Sequence, residues 1–366
     1  MKKTLLASSV VVMFLAACGG GNNNAAQSKT SDAGSTASSG TTASAAPAAA
    51  TDSLKIYNWS DYVDPETVKE FEAANKIKTT YDFYDSNEAL EAKVLTGKSG
   101  YDLVVPSNTF VGRQIKAGAY LKIDKNQIPN YNNIDPQLLK LMNDVDAGNE
   151  YAVPYFWGIN TLAINKDKVE KALGGPLPDN QWDLLFKPEY SNKLKSCGIS
   201  VLDSAAEIFP MALNYMGKDP QSDKSEDLKA AAEMIMKVRP DIRRFSSSGY
   251  IDDMARGDLC VVLGYGGDLN IAARRAKEAK SNVNIEVLVP KEGFGVWVDS
   301  FMIPKDSANV TNAYKYINNT LDPKVAAKNG NFVTYAPASK PAKDLMEKQY
   351  TENRSIFPTD ADLQNG

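Results

Sequence analysis

The sequence predicts an α/β fold in two lobes, and three observations carry that expectation. From Leu54 onward, short apolar runs alternate with amphipathic helical segments in the order β-α-β-α-β, the signature of a sheet covered by helices. The part able to fold is about 310 residues long, enough for two cores. Two extended apolar stretches, Pro154 to Lys166 and Val296 to Ile303, lie far apart and suit a first crossing between lobes and a return.

Taken in order, the chain opens with Lys2 and Lys3, an apolar run from Leu5 to Leu15, and Leu15-Ala16-Ala17-Cys18-Gly19. A charged start, a short apolar core and small residues at the cut describe a secretory signal peptide over residues 1–17, too short for a permanent membrane span. Cys18 reads either as a thiol near a cleavage site or as an acylated first residue of the mature chain. Acylation would tie the protein to a membrane, in a periplasmic or other extracytoplasmic location, without crossing the membrane. Apart from Cys18, Gln27 and Pro47, residues 18–52 are Gly, Asn, Ala, Ser, Thr and a few charged residues, with no Leu, Ile, Val or aromatic residue, which describes a tether.

Leu54 to Trp59 reads as a strand, and Asp64-Pro65 as a helix start with Asp at the N-cap and Pro at the first helical position. Tyr81 to Tyr84 is the next strand, Glu88 to Leu95 the next helix, and Asp102 to Val105 a buried strand ending at Pro106. In the second lobe, a helix over Ala205 to Met216 and a strand over Leu259 to Leu263 stand out. Boundaries of 54–156 and 298–345 for lobe 1, 157–297 for lobe 2, and 346–366 for a segment returning to lobe 2 follow from this order.

Composition narrows the function. The formal charge is −4, becoming −6 once the two leader lysines are removed. An acidic chain without a basic stripe argues against nucleic acid and suits a cationic partner. The chain contains no histidine, which excludes Ser-His-Asp and Cys-His catalysis. With Cys18 lipidated, Cys197 and Cys260 remain, and an even count outside the cytoplasm suggests a disulfide worth roughly 4 kcal/mol, two buried thiols being the alternative.

Several motifs then carry a resemblance. Asn58-Trp59-Ser60-Asp61-Tyr62-Val63, Tyr101 to Ser107, Lys187-Pro188-Glu189-Tyr190, Asn214-Tyr215-Met216-Gly217, Val289 to Gly293 and Trp297-Val298-Asp299-Ser300 resemble the substrate-binding proteins of bacterial polyamine ABC importers. The resemblance runs from about Leu54 to Asp360. It implies a type II periplasmic-binding-protein fold, in which each lobe is a central β-sheet flanked by helices and the ligand sits in the interlobe cleft. It also implies a monomer that works with a membrane permease, without catalysis and without cofactor. The nearest resemblance is to putrescine-binding members, whose disulfide falls at Cys197 and Cys260.

A polyamine is a methylene chain with ammonium ends, so its site needs carboxylates, aromatic walls and a few neutral acceptors. The resemblance places Glu207, Asp268 and Asp299 as the carboxylates, Trp59, Tyr62, Tyr265, Trp297 and Tyr335 as walls, and Ser60, Asp61 and Ser107 as polar contacts. Read locally, Glu207 is also a first-turn helix acid, Asp268 an N-cap after Gly264-Tyr265-Gly266-Gly267, and Ser60 and Asp61 turn caps. Asp299 interrupts an apolar run and has no such reading as a solvated face.

Members of the family usually have Trp where this chain has Tyr265. Trp297 is similar to the spermidine type, whereas Asp268 and Ser60 are similar to the putrescine type. Putrescine is favoured, with spermidine or another diamine as the alternative. The family continues past Ile356-Phe357-Pro358 into a last helix, so packing is expected to be lost where this sequence ends at Gly366. Two other functions stay open: an amine receptor feeding a sensor, and a carboxylate-pair hydrolase using Asp268 and Asp299.

Overall fold

The computed structural model describes residues 52–364. The expected signal peptide, Cys18 and all but the last residue of the expected tether lie outside the described residues. Strand β1 (Ser53–Trp59) lies between β2 (Lys78–Tyr84) and β3 (Leu103–Val104) in a parallel sheet of order β2-β1-β3. The helix between β1 and β2, Pro65–Asn75, begins as the sequence requires: Asp64 is its N-cap, accepting from Glu66 N–H at 2.9 Å, with Pro65 next.

Strand β3 is shorter than the Asp102 to Val105 run suggests. Asp102 N–H still donates to Lys55 O at 2.8 Å, but the returning Lys55 N–H goes to the Asp102 carboxylate at 2.9 Å, which also accepts from Ser307 Oγ at 3.0 Å and Asn309 N–H at 3.1 Å. The expected helix over Glu88 to Leu95 is Asn87–Val94, shifted by the Ser86 cap. The strand expected over Leu259 to Leu263 is β7, shifted to Val261–Tyr265.

The second sheet is mixed: β10-β4-β7-β5-β6, with β8 and β9 also on β4. Its axis is β4 (Val153–Asn165), a single 13-residue strand. Strands β5 (Ile199–Val201), β6 (Ile242–Phe245) and β7 pair in parallel, whereas β8 (Ile285–Val287), β9 (Gly295–Phe301) and β10 (Ala336–Pro337) run antiparallel to β4.

Among the described residues two large apolar cores result, one built around Ile56, Val104, Phe156 and Phe301 and the other around Ile159, Ile199, Val262 and Leu269, beside a small cluster of Ala326, Ala327, Ala342 and Met346. Strands β4 and β9 pass from one to the other as an antiparallel ribbon, from Val153↔Phe301 to Asn160↔Gly295. The two stretches expected to cross between lobes are therefore hydrogen-bonded partners. Tyr265, at the end of β7, packs against both cores. Cys197 and Cys260 form a disulfide, with Cα atoms 5.5 Å apart. Near the C-terminal end, Leu363 packs on the second core.

Candidate functional site

The cleft between the cores is lined by Trp59, Ser60, Tyr62, Asp85, Ser107, Ser247, Ser248, Tyr265, Asp268, Trp297, Asp299 and Tyr335. Strand alternation places its central pair: Trp297 and Asp299, two apart on β9, share a face. Nine of the eleven residues expected to bind ligand are brought together here. The other two, Asp61 and Glu207, are placed elsewhere.

Asp299 is 4% exposed and holds one strong partner, the Ser107 hydroxyl, which donates to Oδ1 at 2.6 Å. Ser107 opens the helix Asn108–Lys116 but its hydroxyl does not cap it. That hydroxyl is held instead by Asn87, whose Nδ2 donates to it at 3.0 Å while Asn87 Oδ1 accepts from Ser107 N–H at 3.0 Å. Tyr62 Oη makes no hydrogen bond of normal geometry, yet lies near enough for the Asp299 charge to raise its pKa further, beyond the larger effect of burial.

Asp268 sits in the first turn of the helix Gly266–Glu278, after the glycine-rich turn. Its side chain is not the N-cap of that helix. Both oxygens are spoken for by tyrosines: Tyr335 donates to Oδ1 at 2.6 Å and Tyr250 to Oδ2 at 2.9 Å. Tyr335 Oη also accepts from Asp268 N–H at 3.0 Å, and Tyr250 Oη accepts from Tyr265 N–H at 3.1 Å.

The aromatic walls form one series of edge-on contacts. Trp59 meets Tyr265 at 6.1 Å between ring centroids, Tyr265 meets Trp297 at 6.0 Å, Trp297 meets Tyr335 at 5.3 Å, and Tyr335 meets Tyr62 at 5.3 Å. Trp59 is fixed by its indole N–H, which donates to Val105 O at 2.9 Å. The negative ring faces in such a box suit a cation.

Glu207 does not line this cleft. It lies in an adjoining chamber with Asn108, Asn160, Met211 and Asn214, and Trp297 is the wall common to both. Glu207 is 5% exposed and accepts from Asn160 Nδ2, whereas Asn160 Oδ1 has no partner. The first-turn placement is as expected, but burial makes this acid more than a dipole partner. Asp61 turns away from the cleft. Its backbone is left-handed at φ 55°, and its carboxylate pairs with Arg275 at 3.3 Å across the outside of the cleft. Arg275 also holds Asp252 at 2.8 Å. The reason is charge: an exposed carboxylate finds an exposed guanidinium before it finds a buried cleft.

The three carboxylates are electrostatically alike. Burial pushes Asp299 up to about 7, with the Ser107 hydrogen bond opposing the rise. Burial pushes Glu207 up to about 7 against the Asn160 amide, and Asp268 up to about 6 against the Tyr335 and Tyr250 hydroxyls. Among the described residues, no lysine or arginine lines either chamber. Desolvated carboxylates without a protein cation favour a proton or a ligand cation. No group of acidic or cysteine residues among those described is placed to hold a metal.

Asn87, Asn160 and Tyr250 escaped the sequence reading, and so did Asp85, Ser247 and Ser248. Asn87 stands beside Ser86 at a helix start and looks like a cap, and Tyr250 opens an ordinary amphipathic helix. Only the run Ser246-Ser247-Ser248 carried a signal, as a loop.

Comparison with known proteins agrees with the fold. Residues 66–358 match the family of bacterial extracellular solute-binding proteins. The putrescine-binding periplasmic protein PotF of Escherichia coli is 46% identical over 312 residues, covering 85% of this chain and 84% of that one. The putrescine-binding periplasmic protein SpuD of Pseudomonas aeruginosa is 45% identical over 313 residues, covering 86% and 85%. A solved structure described as a putative spermidine/putrescine ABC transporter from Listeria monocytogenes superposes with a TM-score of 0.75 at 30% identity, covering 86% of this chain and 92% of that one. A two-lobed α/β chain with buried carboxylates in an aromatic cleft, whose relatives are binding proteins rather than enzymes, fits one assignment: the chain belongs to the bacterial extracellular solute-binding proteins.

Proposed function

We propose that this protein captures small polyamines, putrescine foremost, and delivers them to the permease of an ABC importer, held at a membrane by a lipid on Cys18. One observation carries the reading: Asp299 and Asp268 face a common aromatic cleft that no lysine or arginine lines, and burial outweighs what the Arg275 charge does to Asp268. One ammonium of a four-carbon diamine bonds Asp299 beside Ser107, and the other bonds Asp268 on the opposite lobe. The methylenes lie among Trp59, Tyr265, Trp297 and Tyr335. Glu207, behind Trp297, contributes its charge and is the reserve for a longer polyamine such as spermidine. The names of PotF and SpuD support the same ligand class.

Calorimetric titration of the full chain with putrescine, cadaverine, spermidine and spermine tests the proposal. Tight 1:1 binding of putrescine, weaker for the longer amines, is expected. Absence of heat and of any thermal shift with all four amines would reject amine capture. Spermidine binding more tightly than putrescine would move the preferred ligand into the Glu207 chamber. Deleting the gene and following amine uptake separates importer from sensor, unchanged uptake rejecting the importer.

A further inference from the structure

We propose that Gly158 is a specificity-determining residue acting through Trp297: lacking a side chain, it lets the indole lie against strand β4 and so fixes where the wall between the two chambers stands. Gly158 and Trp297 are direct partners in the antiparallel β4–β9 ladder. A Cβ at position 158 would stand 2.7 Å from Trp297 Cζ2, 3.1 Å from Cη2 and 3.2 Å from Cε2, far inside contact distance for a rigid ring. The indole N–H has no hydrogen-bond partner, so no polar bond holds the ring, and its position rests on packing alone.

The other side of the indole is closed by Tyr265 and Tyr335, at 6.0 and 5.3 Å. Tyr335 has little room to retreat, because its own ring rests on the backbone of Gly267, where a Cβ would come within 2.4 Å of Cζ. An indole pushed off Gly158 therefore moves into one of the two chambers, both of which it lines. Gly158 itself is not among the residues lining either chamber, so its effect on ligand choice is indirect.

The test is a double-mutant cycle on the full chain with Gly158→Ala, Trp297→Phe and the pair together. Its affinity arm rests on the putrescine reading, and its stability arm does not. Gly158→Ala is expected to weaken putrescine about tenfold or more, a coupling of the size seen between touching residues. In the Trp297→Phe background, where the smaller ring leaves space, the same change is expected to cost no more than about threefold. Effects that simply multiply, or an unchanged affinity in Gly158→Ala, would overturn the proposal.

Thermal unfolding without ligand reads the same seat: Trp297→Phe must recover most of the midpoint lost in Gly158→Ala, or restore cooperative unfolding if the single variant has none. Failure of that recovery overturns the proposal even where the chain binds no putrescine, and that absence of binding counts only against the functional reading.

Discussion

Asp299 and Asp268 line the same cleft from opposite lobes, yet they are held in different ways. Asp299 sits on a strand that runs between the lobes, nearly out of solvent, with one short bond to Ser107 and that serine pinned by Asn87. Asp268 sits on a helix start, part-buried, with a tyrosine hydroxyl on each oxygen. A strand position with one fixed donor, on Oδ1, would leave the other oxygen of Asp299 to a ligand cation. Two tyrosine hydroxyls, each with its oxygen held by a backbone N–H, leave Asp268 with both oxygens already taken by donors of the protein. On the proposed function, the first would be the stronger anchor for an ammonium and the second the one better supplied with donors of the protein.

If that contrast is right, Asp299→Asn is the most damaging change. A charge-assisted contact is worth roughly 1.5–3 kcal/mol, so putrescine affinity should fall about ten- to a hundredfold. Asp268→Asn should cost less, because a tyrosine hydroxyl can accept from an amide N–H as well as donate to its oxygen. Titration of both variants decides it, and a larger loss at Asp268 would reverse the roles.

Acidity probes both acids at once. Binding needs the ionised carboxylates, so as pH falls below about 7 affinity should drop, approaching about tenfold per pH unit for each group that must ionise. Stability of the ligand-free protein carries the opposite sign. With folded pKa values near 7 and 6, above the ordinary carboxylate range, the folded state binds protons more tightly than the unfolded chain. Their contribution to stability therefore falls as pH rises from about 4 to about 7. Melting curves should show a larger putrescine-induced shift at pH 7.5 than at pH 5. Asp299→Asn should flatten the pH dependence of the ligand-free midpoint, and a slope identical to the parent's would contradict the burial of that charge.

The smallest effect sharpens the contrast. Tyr250→Phe removes one of two hydroxyls from Asp268 and leaves Tyr335 in place, so putrescine affinity should change by no more than about fivefold. A loss as large as that of Asp299→Asn would show that Asp268 is as strong an anchor as its counterpart.

Much of this site was legible. Asp299 announced itself because a carboxylate inside Val296-Trp297-Val298-Ser300-Phe301 has no solvated reading, and the alternation of a strand put Trp297 on its face. Asp64-Pro65 marked a helix start, because capping depends only on neighbours. Asp61 misled: Trp59, Asp61 and Tyr62 are adjacent in sequence, but a left-handed residue at 61 sends its carboxylate outward to Arg275, 214 positions away. Asn87 and Tyr250 were invisible because their work is done on residues remote from any local pattern.

The sequence by itself determined the order of elements, the crossing segments, the lack of histidine chemistry and the supply of acids and rings, all of which are local or compositional. Tertiary structure alone decided that Glu207 stands behind Trp297, that Gly158 faces the indole, and that Ser107 meets Asp299 across 192 residues. Those facts depend on which strands pair and in what register, and register follows from how two cores are buried together rather than from the propensity of any single segment.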